Sequence, residues 1–362
     1  MNAISQKPRI EYRCAEPGDL DTLIPLKGKM DGRPAAAPEW VRRWPWQFVA
    51  HPWRRGDYGA NSIVAILDGR MAGAIGFMPT HLDYQGRSVE SAFGCELFVD
   101  PGAQGHGIGQ ALIDQVVARY PNSLWMNTPA AGARSYHKRG FSAVEPVNYR
   151  MLAVHPGHVL AARGKPALGA AAAWTGALLR PAIRMRARAF AVPRGVVFSE
   201  VSSFGAEFDR FHEKNRRPDL VTPRRDAAFL QWRYKDCPFG PYHAIAAHAG
   251  GEAVGFTVYR TKQSHNGTQG IVNELEADPA TPGLAASLLG AALHGLLDAK
   301  AHLITALPTD PATLSVFRRA WFLDWKRTPH LYVAPGAAAK LGLPADGARW
   351  SMSMGDCDLD YF

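Results

Sequence analysis

The sequence predicts an α/β (α+β) chain made of two tandem units, each a mixed, mostly antiparallel sheet flanked by helices. Three observations carry that expectation. Apolar alternation in Glu96-Leu97-Phe98-Val99 runs through an Asp100-Pro101 turn and a corner holding Gly105, Gly107 and Gly109; helical spacing then takes over at Ile108, Ala111, Leu112, Val116 and Tyr120. Asp68-Gly69 and Gln85-Gly86 separate strand-like runs in the manner of two-residue hairpins. The second half echoes the first: Glu274-Leu275-Glu276-Ala277-Asp278-Pro279 repeats the stretch from Glu96 to Pro101, and Trp232-x-Tyr234 repeats Trp46-x-Phe48. A length of 362 residues suits two domains of ordinary size.

Taken in order, Ile10, Tyr12 and Cys14 alternate as a first strand. Asp19 can cap a helix carrying Leu20, Leu23, Ile24 and Met30, which Pro25 shortens or kinks. The aromatic stretch Trp40 to Phe48 reads as a helix packing tryptophans onto the sheet, limited by Pro45. Strands are expected at 61–67, 71–78, 81–84, 88–99, 123–126 and 143–154, with a helix ending near Arg139. These elements form a first domain over 1–155. An alanine-rich, basic helical linker spans 156–195, broken by Pro166 and Pro181, and a second domain spans 196–335. The tail, 336–362, carries alternating Asp356, Asp358 and Asp360, read as a docked strand or as acid offered to the acceptor site.

Bulk properties exclude several classes. Four scattered cysteines without a Cys-x-x-Cys argue against a disulfide scaffold or structural zinc and imply a cytoplasmic protein. No run reaches the roughly eighteen apolar residues of a spanning helix. The formal charge of +9 comes without a nucleic-acid motif, so no nucleic-acid partner is expected. The apolar, basic stretch 160–190 does leave contact with an anionic membrane surface open.

A strand that turns through glycines into a helix leaves backbone N–H groups unpaired at the positive end of the helix dipole, a ready cradle for a diphosphate. Gln104-x-x-Gly107-x-Gly109 resembles the pyrophosphate loop of the GNAT acetyltransferase superfamily. Downstream, Tyr136 to Gly140-Phe141 resembles that family's closing motif. The resemblance covers residues 9–155. It implies an N-acetyltransferase that uses acetyl-CoA as acyl donor without a metal. The acceptor is expected to be the amine of a small metabolite or amino sugar.

The resemblance assigns the donor to Leu97, Phe98, Val99, Gln104, Gly105, His106, Gly107, Ile108, Gly109 and Asn127. It assigns protonation of the leaving thiolate to Tyr136, a phenol near 10 facing a thiol near about 8.5. Glu96 is the candidate base, although taking a proton from an ammonium is uphill by about 8 kcal/mol. Glu274 occupies the same place in the second half, which favours a carboxylate structural to both. Trp46, Phe48 and Glu274 are the candidate acceptor-site residues. With the Asp-Pro turns aligned, Ala285 falls opposite Gly107 and Ser287 opposite Gly109, and Phe317 answers Tyr136. The second half is therefore expected to keep the fold without a donor site. Competing expectations are a non-catalytic acyl-CoA-binding or assembly protein, and an aminoacyl transferase similar to the Fem family.

Overall fold

The computed structural model describes residues 8–30, 38–56, 59–126, 130–264, 267–325, 330–336, 341–358 and 360, apart from the side chains of 38, 130–132 and 135. The chain divides into two compact units. The first comprises 1–81, 89–143 and 332–343; the second comprises 82–88, 144–331 and 344–362.

In the first unit, β1 (Ile10–Cys14), β2 (Ser62–Leu67), β3 (Arg70–Tyr84), β4 (Arg87–Val99), β5 (Leu124–Met126) and β6 (Ser142–Val144) form one sheet, with β15 (Leu331–Val333) inserted between β5 and β6. Asp68 and Gly69 have φ of 47° and 78°, and Gln85 and Gly86 have 51° and 74°. Paired positive φ is what a twisted two-residue hairpin requires. The expected break between 78 and 81 is absent: β3 is one strand of 15 residues.

Period-two alternation sends neighbours to opposite faces of this sheet. Ile63, Ala65, Ile75 and Phe77 pack under α3 (Ile108–Arg119) and α4 (Ala130–Lys138). Val64, Ala74 and Phe98 pack with residues of α1 (Leu20–Met30) and α2 (Pro38–Trp44). At Pro45 the α-helix gives way to one wide turn, Pro45–Val49, closed by Ala50 N–H donating to the Pro45 carbonyl at 2.8 Å. That turn aims Trp46, Gln47 and Phe48 inward.

The second unit holds a sheet in the order β14-β7-β13-β12-β11-β10-β8. Its strands are β7 (Arg150–Ala153), β8 (Val196–Glu200), β10 (His243–Ala249), β11 (Glu252–Ser264), β12 (Gly267–Ala277), β13 (Leu303–Ala306) and β14 (Leu323–Asp324). The short β9 (Thr222–Pro223) pairs with Leu82 and Asp83. The expected strand 143–154 is thus two strands in two sheets. The segment 156–195 contains α5 (Pro156–Ala162), α6 (Pro166–Ala171) and α7 (Thr175–Arg188). Pro166 opens α6, where its missing N–H costs nothing. Pro181 sits inside α7 instead of ending it.

Ile183, Ala187 and Phe190 share a core with Leu288, Leu289 and Leu293 of α10 (Leu284–Asp298), so this segment belongs to the second unit's core. Gly290 permits the approach, because a Cβ there would lie 2.8 Å from the Ala187 carbonyl oxygen. The remaining helices are α8 (Ala206–Lys214), α9 (Ala227–Leu230) and α11 (Pro311–Arg319). Among its described residues the tail forms no strand, and Trp350, Met352, Met354 and Cys357 are core residues.

Candidate functional site

The first unit's site grows out of the end of β4. Parallel pairing with β5 reaches Gly94↔Trp125 and stops, and Glu96 then takes a φ of 51°. Left-handed φ on a non-glycine residue is strained backbone, and here it marks a kink. Past the kink, among the described residues, Glu96–Val99 has no partner strand on the β5 side. Leu97 is 40% exposed, Val99 half-buried and Phe98 buried in the core.

The corner follows. Asp100 N–H donates to the Ala72 carbonyl at 2.7 Å. The Asp100 carboxylate accepts from Gly102 N–H at 2.8 Å and from Lys29 Nζ at 2.9 Å, which fixes where the chain turns. Gly105 and Gly107 have φ of 89° and 75°, and Gly107 caps α3. No acceptor within the protein, among the described residues, meets the backbone N–H of residues 105–109; the first helical bond is Ala111 N–H to the Gly107 carbonyl at 3.0 Å. A Cβ at Gly105 or Gly107 would meet nothing within 4 Å, and one at Gly109 would lie 3.5 Å from Val99. Gln104 and His106 are exposed, whereas Ile108 is a buried core residue. Five unclaimed amides around open space at a helix start fit a diphosphate.

Tyr136, on α4, is 4% exposed, with its ring 5.4 Å from Trp125, 4.9 Å from Phe141 and 5.4 Å from Tyr332. Glu96 is buried between two cations, Arg43 at 2.9 Å and Lys27 at 3.3 Å. Each of its two carboxylate oxygens faces one of these cations, the arrangement of a structural clamp between elements. The segment that supplies Arg43 showed only its aromatic residues in the sequence; its charge pairing was not legible. Phe48 is 1% exposed, and its ring lies where a Gly76 Cβ would come within 2.5 Å, so it is packing and not an open wall. Trp46 is likewise buried. Asn127 lies outside the described residues. Arg139, which could have met a phosphate, pairs with Asp114 at 2.8 Å.

The second unit repeats these details. Asp278 N–H donates to Val254 at 2.8 Å, and the Asp278 carboxylate accepts from Ala280 N–H at 2.8 Å and from Lys214 at 3.0 Å. A wide turn at Gln231–Lys235 buries Trp232 and Tyr234. The rings of Phe317 and Phe322 are 4.9 Å apart, as are those of Tyr136 and Phe141. Glu274 is buried, accepting from the Tyr234 hydroxyl and facing Arg225 Nε at 2.9 Å; it is no more open to an acceptor than Phe48.

The helix caps correct one part of the internal alignment. α10 opens on Gly283, φ 84°, so Gly283 and not Ala285 matches Gly107, and the second corner is two residues shorter. What it lacks is donors. Thr281 N–H is bonded to Asp278 at 3.0 Å, Pro282 has none, and Leu284 N–H is bonded to Thr281 at 3.2 Å. Of the positions matching 105–109, only Gly283 and Ala285 keep an unclaimed amide.

A cavity of about 310 Å³ nevertheless lies at this second corner, lined by Phe211, His212, Phe256, Glu276, Gly283 and Asp310 among others. Asp83 borders it, bonded to His212 Nε2 at 2.9 Å and Arg216 at 2.5 Å. Burial opposes its charge, yet those two bonds hold its carboxyl well below the usual carboxylate range. Deeper, Glu274, Glu276 and Asp356 converge on Arg225 at 2.9, 3.2 and 2.8 Å. Burial pushes Asp356 up to about 7 despite Arg225, and pushes Glu276 up as well. Asp360 pairs with Arg233 at 2.6 Å, so Asp356 and Asp360 of the tail are each held by an arginine. The lining mixes Arg216, Arg217, Arg225 and Arg319 with Asp83, Glu276, Asp278 and Asp310, and the corner beside it offers few backbone donors, so its size alone does not make it the donor site.

A kinked strand, a glycine corner and a glycine-capped helix together make up this site in a mixed α/β fold. Residues 59–143 match the family model described as an acetyltransferase (GNAT) domain, and the chain carries that domain. No curated protein sequence matches the chain. Among solved structures, a GCN5-related N-acetyltransferase from Anabaena variabilis aligns with TM-score 0.59 and 12% identity over 90% of this chain and 72% of its own. One from Kribbella flavida gives 0.58 and 17% over 92% and 73%. Saccharomyces cerevisiae N-myristoyltransferase with bound myristoyl-CoA gives 0.56 and 14% over 92% and 85%. At such identities the likeness is one of fold. No helix among the described residues is long and apolar enough to cross a membrane.

Proposed function

We propose that the chain is an acyl-CoA-dependent N-acyltransferase, with acetyl-CoA as donor and the amine of a small metabolite or amino sugar as acceptor. The observation that carries this reading is the set of five backbone N–H groups at residues 105–109, without an acceptor among the described residues, at the start of α3. Membership of residues 59–143 in the GNAT domain family supports it. The donor's diphosphate is held by these amides, and its pantetheine arm lies along the edge of Leu97–Val99 that no strand among the described residues covers. Main-chain N–H on that edge polarises the thioester carbonyl.

Tyr136 donates the proton that the departing thiolate needs. Glu96 works as a structural clamp, tying Lys27 of α1 and Arg43 of α2 to the kink in β4. The amine therefore attacks in its neutral form, having lost its first proton to solvent, and the proton it sheds as the amide forms restores the Tyr136 phenol through solvent. The second unit is a GNAT-like copy that has lost its donors.

Isothermal titration with acetyl-CoA tests the donor, and free-thiol release across amines and amino sugars tests the transfer. Binding without thiol release would leave a pure acyl-CoA binder. The yeast structure with myristoyl-CoA makes chain length a second arm: octanoyl- and myristoyl-CoA competing better than acetyl-CoA would replace the acetyl assignment.

A further inference from the structure

The segment preceding β8 is singular in charge. Between Pro146 and Ser199 there is no aspartate or glutamate, while 156–195 alone holds seven arginines and lysines. The helix within it, α7, buries Ile183 and Ala187 on its inner side. Its outer side is apolar as well. Trp174, Leu178 and Met185 are 64%, 62% and 71% exposed, and Pro181 between them is exposed too. Positions 174, 178, 181 and 185 form one helical stripe about 16 Å long. Leu168 on α6 is also exposed, and Lys165, Arg188 and Arg194 lie in solvent on the same segment. Arg184 is held by Asp298 at 2.6 Å, and Arg186 donates to the Arg319 carbonyl at 2.8 Å.

We infer that this face docks on an anionic lipid surface, with α7 lying in the plane of the headgroups. The chemistry selects that occupant. An apolar stripe bordered by cations is the pattern of an interfacial helix, burying the stripe while its cations meet lipid phosphates. A second copy would set one basic face against another across a two-fold axis, its one acid, Asp298, being already held by Arg184, and be repelled. The inference is independent of the donor site.

The test uses the full chain and flotation with vesicles of phosphatidylcholine alone or mixed with phosphatidylglycerol. The chain floats with the mixed vesicles, hardly with phosphatidylcholine, and added salt weakens the binding. Trp174→Ser, Leu178→Ser and Met185→Ser combined lower partitioning tenfold or more while thermal unfolding is unchanged. Lys165→Gln and Arg188→Gln each lower it about fivefold. Absence of flotation, equal binding to both vesicles, or undiminished binding of the triple variant overturns the inference. So does a concentration-dependent dimer in sedimentation velocity that the triple variant abolishes while vesicles stay unbound.

Discussion

Tyr136 is the residue whose two roles give opposite results. As proton donor to a thiolate, Tyr136→Phe lowers kcat by about 10² to 10⁴-fold with KM for the donor little changed. As a packing ring alone, it costs about 1 kcal/mol of stability or less and leaves kcat intact. Steady-state kinetics beside a denaturant titration separates them. For Glu96 the expectation runs the other way. Glu96→Ala removes one partner from the buried ion pairs with Arg43 and Lys27, a loss of about 3 to 5 kcal/mol in urea unfolding. A pH–rate profile keeping its shape in Glu96→Gln supports the clamp; loss of its acid limb restores the base.

His51 gives a pH prediction. Burial pushes its imidazole down to about 3. The unfolded imidazole takes up a proton near 6.5, so its contribution is whole above that value and falls as pH drops toward 3, by about 1.4 kcal/mol per unit. Asp356 works in the opposite sense, since a carboxyl raised to about 7 favours the folded state as pH falls below that value. The difference between wild type and His51→Gln, measured by urea unfolding at pH 7 and pH 5, isolates the imidazole. Equal slopes would contradict its neutral burial.

Among the elements, the hairpins and the corner were legible because Asp68-Gly69, Gln85-Gly86 and the glycines at 105, 107 and 109 speak through local backbone geometry. What was hidden depends on distant partners. β15 lies 187 residues after Val144 in the chain yet sits beside β6, and no local period reports that. Pro181 was read as a break, but α7 tolerates it because one missing N–H costs less than packing against α10 returns. Aligning the two corners on Asp-Pro misplaced Gly283, since the turn is two residues shorter and only the cap shows it. Partial pairing also hid Glu96's role: its strand position was readable, its cations were not. Gly283→Ala and Gly107→Ala should lose similar stability, about 1 to 2 kcal/mol, because both put a Cβ at positive φ in open space. Calorimetric melting checks that equivalence.

For the molecule as a whole, two units share one plan down to the Asp–Lys pair that pins each corner, and they differ in how many amides each corner offers. That difference underlies the proposal of a single donor site. Isothermal titration of acetyl-CoA into the wild type, Gly107→Ala and Gly283→Ala tests it directly, because the two variants carry the same backbone penalty. The prediction is one site per chain, with affinity lost in Gly107→Ala and kept in Gly283→Ala. Affinity lost only in Gly283→Ala, or two equivalent sites in the wild type, would contradict the account.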